Sequence, residues 1–226
     1  MKLTYYGHSC FAVEAGGKIL LFDPFIKPNE LAKKIDIKSI KADYILLSHG
    51  HSDHTADCIE LAKQTNATVI AAFEITEWIS KQGVEKFHPM NIGGKWDFDF
   101  GTVKCVNAAH SSVLPDGTYG GNPMGFVITT TDKTFYYSGD TALIMDMQLV
   151  PRWGKPDFAV LCIGDNFTMG IEDAIEAAKM VKANVAIGVH YDTFGFIKID
   201  HQQAKTAFKN AGIDLQLPAI GETIEL

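Results

Sequence analysis

The chain has few cysteines, and those it has are scattered. Cys10, Cys58, Cys105 and Cys162 lie far apart and form no C-x-x-C pair. Disulfides and cysteine metal ligands are therefore not expected, and the four read as buried free thiols in a reducing compartment. No apolar run reaches the roughly 20 residues of a membrane-spanning helix, and the stretch Met1–His8 lacks the apolar core of an export signal. The expectation is a cytoplasmic protein without a membrane partner. Excess positive charge is also missing. Twenty Lys and Arg against 27 Asp and Glu give a net charge of −7, so no nucleic-acid partner is expected. No linker, charge run or low-complexity segment divides the 226 residues, which suits a single domain over 1–226 with a substantial core. Hydrophobic residues at 46% and charged residues at 21% fit an ordinary globular composition.

What the chain does have is histidine in one place. Ser48-His49-Gly50-His51-Ser52-Asp53-His54 holds three imidazoles and a carboxylate. Before it, Ala42–Leu47 reads as a buried strand; after it, Thr55–Lys63 reads as a helix. The ligand-type side chains thus sit on a strand-to-helix turn, which presents side chains at the carboxyl edge of a sheet. Imidazole is the commonest transition-metal ligand near neutral pH, and carboxylate is its usual oxygen partner. His49 and His51, two apart, point the same way in an extended segment and can hold one ion. Asp53 and His54, past the turn, can point at a second. Two ions about 3.5–4 Å apart are a common hydrolytic device. A polar loop that binds nothing, or one ion only, are the competing readings.

The motif His49-x-His51-x-Asp53-His54 resembles the signature of the metallo-β-lactamase superfamily. The resemblance implies an α/β chain (α+β in some schemes) folded as a four-layer αββα sandwich, with a one- or two-metal hydrolytic site. Further along, apolar runs end at His110, Asp140 and His190, in the order in which the family places its later ligands. Alone, each has an ordinary explanation, since a strand-ending Asp is usually a helix cap and a lone His is usually structural. Carried over from the resemblance, His49, His51 and His110 would bind a first metal. Asp53, His54 and His190 would bind a second, and Asp140 would bridge them. His51 stands where oxygen-reducing diiron relatives tend to carry an acidic residue, which favours hydrolysis.

The rest of the chain supports an alternating pattern. Strands are expected at Leu3–Tyr6, Cys10–Glu14, Lys18–Phe22, Thr68–Ala72, Thr102–Ala109, Met124–Thr130, Thr134–Gly139, Phe158–Ile163 and Asn184–Val189. Helices are expected at Glu74–Lys81, Thr141–Leu149 (stopped near Pro151), Gly170–Val181, and from Asp200 to Gly212, where Asp200–Gln203 resembles a capping box. Pro28–Ile40 reads as surface helix and loop, His88 as a surface or turn histidine, and the tail from Ile213 as one last strand. A loose twofold rhythm runs through the two halves.

His8, in Gly7-His8-Ser9 where a strand breaks, is either structural or close to the site. Relatives similar to the ascorbate-6-phosphate lactonase group open with such a segment, which places His8 as a substrate-contacting or proton-handling group rather than a ligand. Gly121–Phe126 and Phe167–Gly170 also resemble that group. Asp23 is either the partner that orients a ligating histidine or an Asp-Pro turn starter. Asn166 and Tyr191 could donate a hydrogen bond to a developing oxyanion or could simply cap and pack. Phe194 and Phe196 are either an apolar wall of the site or core.

The mechanism implied is attack on a small ester, lactone or phosphoester by a hydroxide shared between two divalent metals, with Asp53 also orienting it. Zinc is the first expectation, since His/Asp sites suit it; manganese, iron and nickel share the chemistry. The partner expected is a small-molecule substrate, and a homo-oligomer is left open. Two other classes stand beside this reading: a phosphodiesterase or nuclease on the same fold, and a non-enzymatic metal-binding module.

Overall fold

The computed structural model describes residues 1–226. Short strands rich in aliphatic and aromatic residues dominate. In chain order the elements are β1 (Lys2–Gly7), β2 (Cys10–Ala15), β3 (Lys18–Phe22), β4 (Tyr44–Leu46), α1 (Ser52–Thr55), α2 (Cys58–Thr65), β5 (Thr68–Ala72), α3 (Phe73–Ser80) and β6 (Phe87–Met90). Then come β7 (Lys95–Phe98), β8 (Gly101–Asn107), β9 (Met124–Thr129), β10 (Thr134–Tyr137), β11 (Phe158–Cys162), α4 (Ile171–Val181), β12 (Val185–Val189), α5 (His201–Asn210), β13 (Asp214–Gln216) and β14 (Thr223–Glu225).

The strands form two seven-stranded sheets, in the orders β14-β1-β2-β3-β4-β5-β6 and β13-β12-β11-β10-β9-β8-β7. The two repeat one plan. Antiparallel pairs run as far as β3 in the first sheet and β10 in the second, and parallel pairs follow from there. The twofold rhythm of the sequence is this plan. Parallel strands align their carboxyl ends, so the segments leaving β3, β4, β10 and β12 emerge along one edge of the sandwich. There open sheets place their sites.

Between the sheets lies an aromatic core. Phe11 and Phe22 stack at 4.5 Å and meet Tyr137 of the facing sheet at 5.0 and 5.5 Å; Phe22 also reaches Phe135 and Phe126 at 5.9 and 6.3 Å. Each such ring, fully buried, contributes on the order of 2 kcal/mol of transfer free energy. Leu61, Ala62, Ile75 and Ile79 attach α2 and α3 to the first sheet. Ala174, Ala178, Ala204 and Phe208 attach α4 and α5 to the second. All four cysteines are buried and free, and no helix is long and apolar enough to cross a membrane.

Several elements differ from the sequence reading. The helix expected at Thr55–Lys63 is two helices, α1 and α2. Asp57 leaves helical geometry (φ −101°, ψ 0°) because its carboxylate accepts the backbone N–H groups of Ile26 and Lys27 at 2.6 and 2.9 Å. The helix expected at Thr141–Leu149 is an extended stretch followed by a 3-10 segment, Met145–Arg152, that holds Pro151 inside it. There the Ala142 N–H donates to the Ala109 carbonyl at 3.1 Å and the Thr141 hydroxyl accepts from the Ala109 N–H at 2.9 Å. These bonds tie 141–142 to the segment after β8 in place of a helical turn.

His88 sits in a strand, β6, with its ring between Trp96 and Phe98. Pro89 lies in the same strand, at the sheet edge where its missing donor is tolerated. Strand β7, Lys95-Trp96-Asp97-Phe98, alternates polar and apolar residues and is a strand beyond those expected. Pro28–Ile40 holds two single 3-10 turns capped by Asn29 and Asp36. The tail supplies two strands rather than one, one to each sheet.

Candidate metal centre

Four strand ends deliver the polar residues. Asp23 follows β3, His49 to His54 follow β4, Asp140 follows β10 and His190 follows β12. His110 comes three residues past the end of β8, and His8 from the turn between β1 and β2. His8, Asp23 and His190 all hold left-handed backbone, with φ of 55°, 40° and 59°. Such conformations cost on the order of 1–3 kcal/mol each for residues with a side chain and collect at functional sites. Two of them brace each other, since the His190 N–H donates to the His8 carbonyl at 2.9 Å. Gly164 permits the approach; a Cβ there would lie 2.1 Å from the His190 carbonyl oxygen.

Asp140 is the centre. Its carboxylate Oδ2 lies 2.9 Å from His190 Nε2, 3.2 Å from His54 Nε2, 3.8 Å from His110 Nε2 and 4.0 Å from His49 Nε2. Around it, two groups of donor atoms each fall within 4.8 Å of one another: His49, His51 and His110 on one side, and His8, Asp53, His54 and His190 on the other. The structure thus gathers every ligand-type residue singled out in the sequence. It also draws His8 in among them: His8 Nε2 is 3.1 Å from the Asp53 carboxylate, and its Nδ1 is 3.0 Å from the Thr193 hydroxyl.

Around these residues lies a layer that the sequence did not reveal. Asp23, fully buried, accepts from the Ser48 N–H at 2.7 Å, the Ser48 hydroxyl at 2.5 Å, the Tyr137 hydroxyl at 2.6 Å and His54 Nδ1 at 2.8 Å. Of the two readings of Asp23, the orienting partner is the one its contacts match. Because the Ser48 hydroxyl spends its hydrogen on Asp23, its oxygen is free to accept from His49 Nδ1, 3.0 Å away. Both His49 and His54 are thereby oriented with the Nδ1 N–H bonded outward and Nε2 turned inward, the orientation a ligating histidine requires. The Ser111 hydroxyl lies 3.3 Å from His51 Nε2, and His51 Nδ1 lies 2.9 Å from His49 Nε2. Ser48, Ser111, Tyr137 and Thr193 carry no local signal, because their roles depend on residues up to 185 positions away. Tyr191 is buried, with its ring on Tyr5 at 6.3 Å, and packs rather than lining the cluster. Asn166 is exposed on a turn, its N–H bonded to the Asp165 carboxylate.

The electrostatics fit a cation. Burial and the neighbouring imidazoles hold His49, His51 and His110 below the ordinary histidine range, so each ring is neutral at neutral pH and keeps one nitrogen free of a proton. Burial lowers His8 to about 4, so His8 is neutral; with Thr193 donating to Nδ1, its Nε2–H points at Asp53. Burial alone would raise Asp140 and Asp53. His190 and His54 outweigh it at Asp140, and His8 and His54 outweigh it at Asp53, so both stay ionised. His54 differs: burial pushes it down, but Asp140 and Asp23 on either side raise it well above the usual value. Two carboxylates thus hold a proton on His54 where a cation would otherwise sit. Three buried polar atoms of the cluster have no hydrogen-bond partner: His54 Nε2, Asp140 Oδ1 and His190 Nδ1. Such orphans are rare in folded proteins. A divalent cation bound by bare imidazole nitrogens and carboxylate oxygens would account for His54 Nε2 and Asp140 Oδ1 though not for His190 Nδ1, and this donor set suits zinc and its first-row neighbours.

Comparison with known proteins agrees with this chemistry. Residues 19–191 match the β-lactamase superfamily domain. A UPF0173 metal-dependent hydrolase of Flavobacterium johnsoniae is 54% identical over 226 residues, covering all of both chains. One from Methylacidiphilum infernorum is 48% identical over the same length and coverage. Among solved structures, Igni18, a metallo hydrolase of the archaeon Ignicoccus hospitalis, superposes with a TM-score of 0.89 at 34% identity, over 99% of this chain and 97% of its own. An isothiocyanate hydrolase from Delia radicum gut bacteria, at 21% identity and a TM-score of 0.77 over 100% and 99% of the two chains, shares the fold.

Two outcomes follow from the geometry. Asp23→Ala releases His54 and the Ser48–His49 pair, and is expected to weaken zinc affinity by about 10–100-fold, read by competition with a chromophoric chelator. The second concerns pH. In the metal-free protein the folded value of His54 lies above its unfolded value of roughly 6.5. Its contribution is therefore complete below that pH and is lost as pH rises through the raised value. The melting temperature of metal-free protein should fall on going above neutral pH. His54→Asn should remove that fall; an unchanged alkaline slope in His54→Asn would contradict the assignment.

Proposed function

The chain belongs to the metallo-β-lactamase superfamily of metal-dependent hydrolases, and from that premise we propose that it hydrolyses a small ester, lactone or phosphoester with the help of two divalent cations, zinc first. The observation that carries the reading is the Asp140 carboxylate between two sets of donor atoms. His49, His51 and His110 would hold one cation, Asp53, His54 and His190 the other, and Asp140 would touch both. When bound, such a pair supplies an activated water at neutral pH and an electrophile for the substrate oxygen.

The chain's own residues do the rest. Asp23 and Ser48 keep the Nε2 atoms of His54 and His49 aimed inward. His8, neutral and braced by Thr193, donates to Asp53 and so fixes the carboxylate that faces the reacting water. That makes His8 a positioning residue for Asp53. The side chains of His51, Asp53 and His110 are partly exposed while those of His49, His54 and His190 are buried. Substrate would therefore enter over the exposed three. The proposed partner is a small molecule, and the proposed location is the cytoplasm.

The test is hydrolysis of lactones, simple esters and phosphodiesters by zinc-reconstituted protein, with Asp140→Asn as control. That variant keeps the shape of the side chain and loses its charge. It is expected to fold, by circular dichroism and melting, and to lose more than about 100-fold in kcat/KM on whichever class turns over, since even outer partners of a metal site are worth 10–100-fold. Wild-type rates in a folded Asp140→Asn would refute the proposal.

A further inference from the structure

The loop that leaves β12 carries more than a structural tie. Residues 191–199 are braced on themselves. The Asp192 N–H donates to the Ile197 carbonyl at 2.8 Å, and the Asp192 carboxylate accepts from the Ile199 N–H at 3.1 Å. Its other oxygen lies 2.7 Å from His201 Nε2, and Tyr191 anchors the base on Tyr5. The tip, Phe194-Gly195-Phe196, is thus presented by a fixed base. Thr193 reaches His8 from this loop, and the ring of Phe194 stands edge-on to His8 with centroids 5.4 Å apart. Phe25, just after β3, meets His8 at 5.5 Å and Phe194 at 6.3 Å.

His8 is therefore closed off by two aromatic rings directly beside Asp53. Phe25 is buried, but Phe194 is 38% exposed. Phe196, 78% exposed, and Phe167, half exposed, form a second edge-on pair at 6.2 Å. Of the two sequence readings of Phe194 and Phe196, core packing is ruled out by this exposure. Of the exposed rings, Phe194 is the one in contact with the cluster, through His8 and Phe25.

Charge points the same way. No lysine or arginine forms an ion pair or hydrogen bond with any of the histidines and aspartates of the cluster. The chain's single arginine, Arg152, ends the 3-10 segment and makes no contact of this kind with them. Arginine is the residue that recognises phosphate and carboxylate groups by paired hydrogen bonds, and the cluster has none. Beyond the cations themselves, the side chains beside Asp53 offer an incoming molecule aromatic surface.

We propose that Phe194, backed by Phe25, is the specificity-determining wall of the site and takes an aryl or branched alkyl group attached next to the bond that is cleaved. Substrates are then apolar esters or diesters rather than compact, highly charged phosphates. This rests on the hydrolase reading above, and the test separates the two.

Binding is measured first, without turnover. Zinc-loaded protein is titrated calorimetrically with dimethylphosphinate and with methylphenylphosphinate, two monoanions that differ by one ring. The phenyl compound is expected to bind at least about tenfold tighter, the gain that burying an aromatic group gives. Phe194→Ala should bring the two within about twofold. Trp96→Ala, which removes a comparably exposed ring on edge strand β7, should keep the full preference. Equal affinities in wild type, a preference that survives Phe194→Ala, or no binding of either phosphinate overturns the proposal.

In the second arm, 4-nitrophenyl acetate is compared with 4-nitrophenyl phenylacetate, and methyl 4-nitrophenyl phosphate with phenyl 4-nitrophenyl phosphate. The phenyl member should be preferred through KM, and Phe194→Ala should remove that preference, whereas Trp96→Ala should keep it. A binding preference without turnover of any of the four sinks the hydrolase reading and keeps the wall. Turnover without preference does the reverse.

Discussion

A carboxylate buried among imidazoles organises this molecule. Asp140 is 2% exposed and has four histidine nitrogens within 4.0 Å. Removing an ionised carboxylate from water without compensation costs several kcal/mol, so the arrangement survives only if positive charge balances it. In the metal-free chain a proton on His54 supplies part of that charge. In the loaded protein divalent cations would supply all of it. The same constraint explains the strained backbone at His8, Asp23 and His190. Four strand ends must bring donor atoms to one point, and ordinary extended or helical backbone does not turn sharply enough there.

The two sheets make this convergence affordable. Each runs antiparallel and then parallel, and the parallel halves send their carboxyl ends to one edge. The aromatic layer of Phe11, Phe22, Phe126, Phe135 and Tyr137 fixes one sheet against the other. Tyr137 belongs to both systems: its ring packs in that layer while its hydroxyl donates to Asp23, which in turn holds His54. The core is thereby connected to a ligand-bearing histidine through two hydrogen bonds, and changes in sheet packing should be felt at the site.

Much of this was legible in the sequence because the informative residues are consecutive or end apolar runs. His49, His51, Asp53 and His54 fall within one turn, and His110, Asp140 and His190 follow strands whose hydrophobicity is plain. Of the partners of these residues only Asp23 was in view, as one of two readings. Ser48 could be seen beside the motif but not its bond to Asp23, and Thr193 lies 185 positions from His8. Local pattern also misled where a tertiary bond won. Asp57 breaks a helix that propensity would continue, because it caps two backbone N–H groups from the 26–27 turn. Strand β6, Phe87-His88-Pro89-Met90, lacks the alternation that marks a strand and carries a proline, whereas β7, Lys95-Trp96-Asp97-Phe98, alternates but is only four residues long.

The central claim is that Asp140 stands between two cations. Anomalous diffraction from crystals of the zinc-loaded protein, recorded on either side of the zinc absorption edge, tests it most directly. The account predicts two peaks about 3.5–4 Å apart, one among His49, His51 and His110, the other among Asp53, His54 and His190, with Asp140 touching both. A single peak in the presence of excess zinc, or two peaks of which neither contacts Asp140, would contradict it.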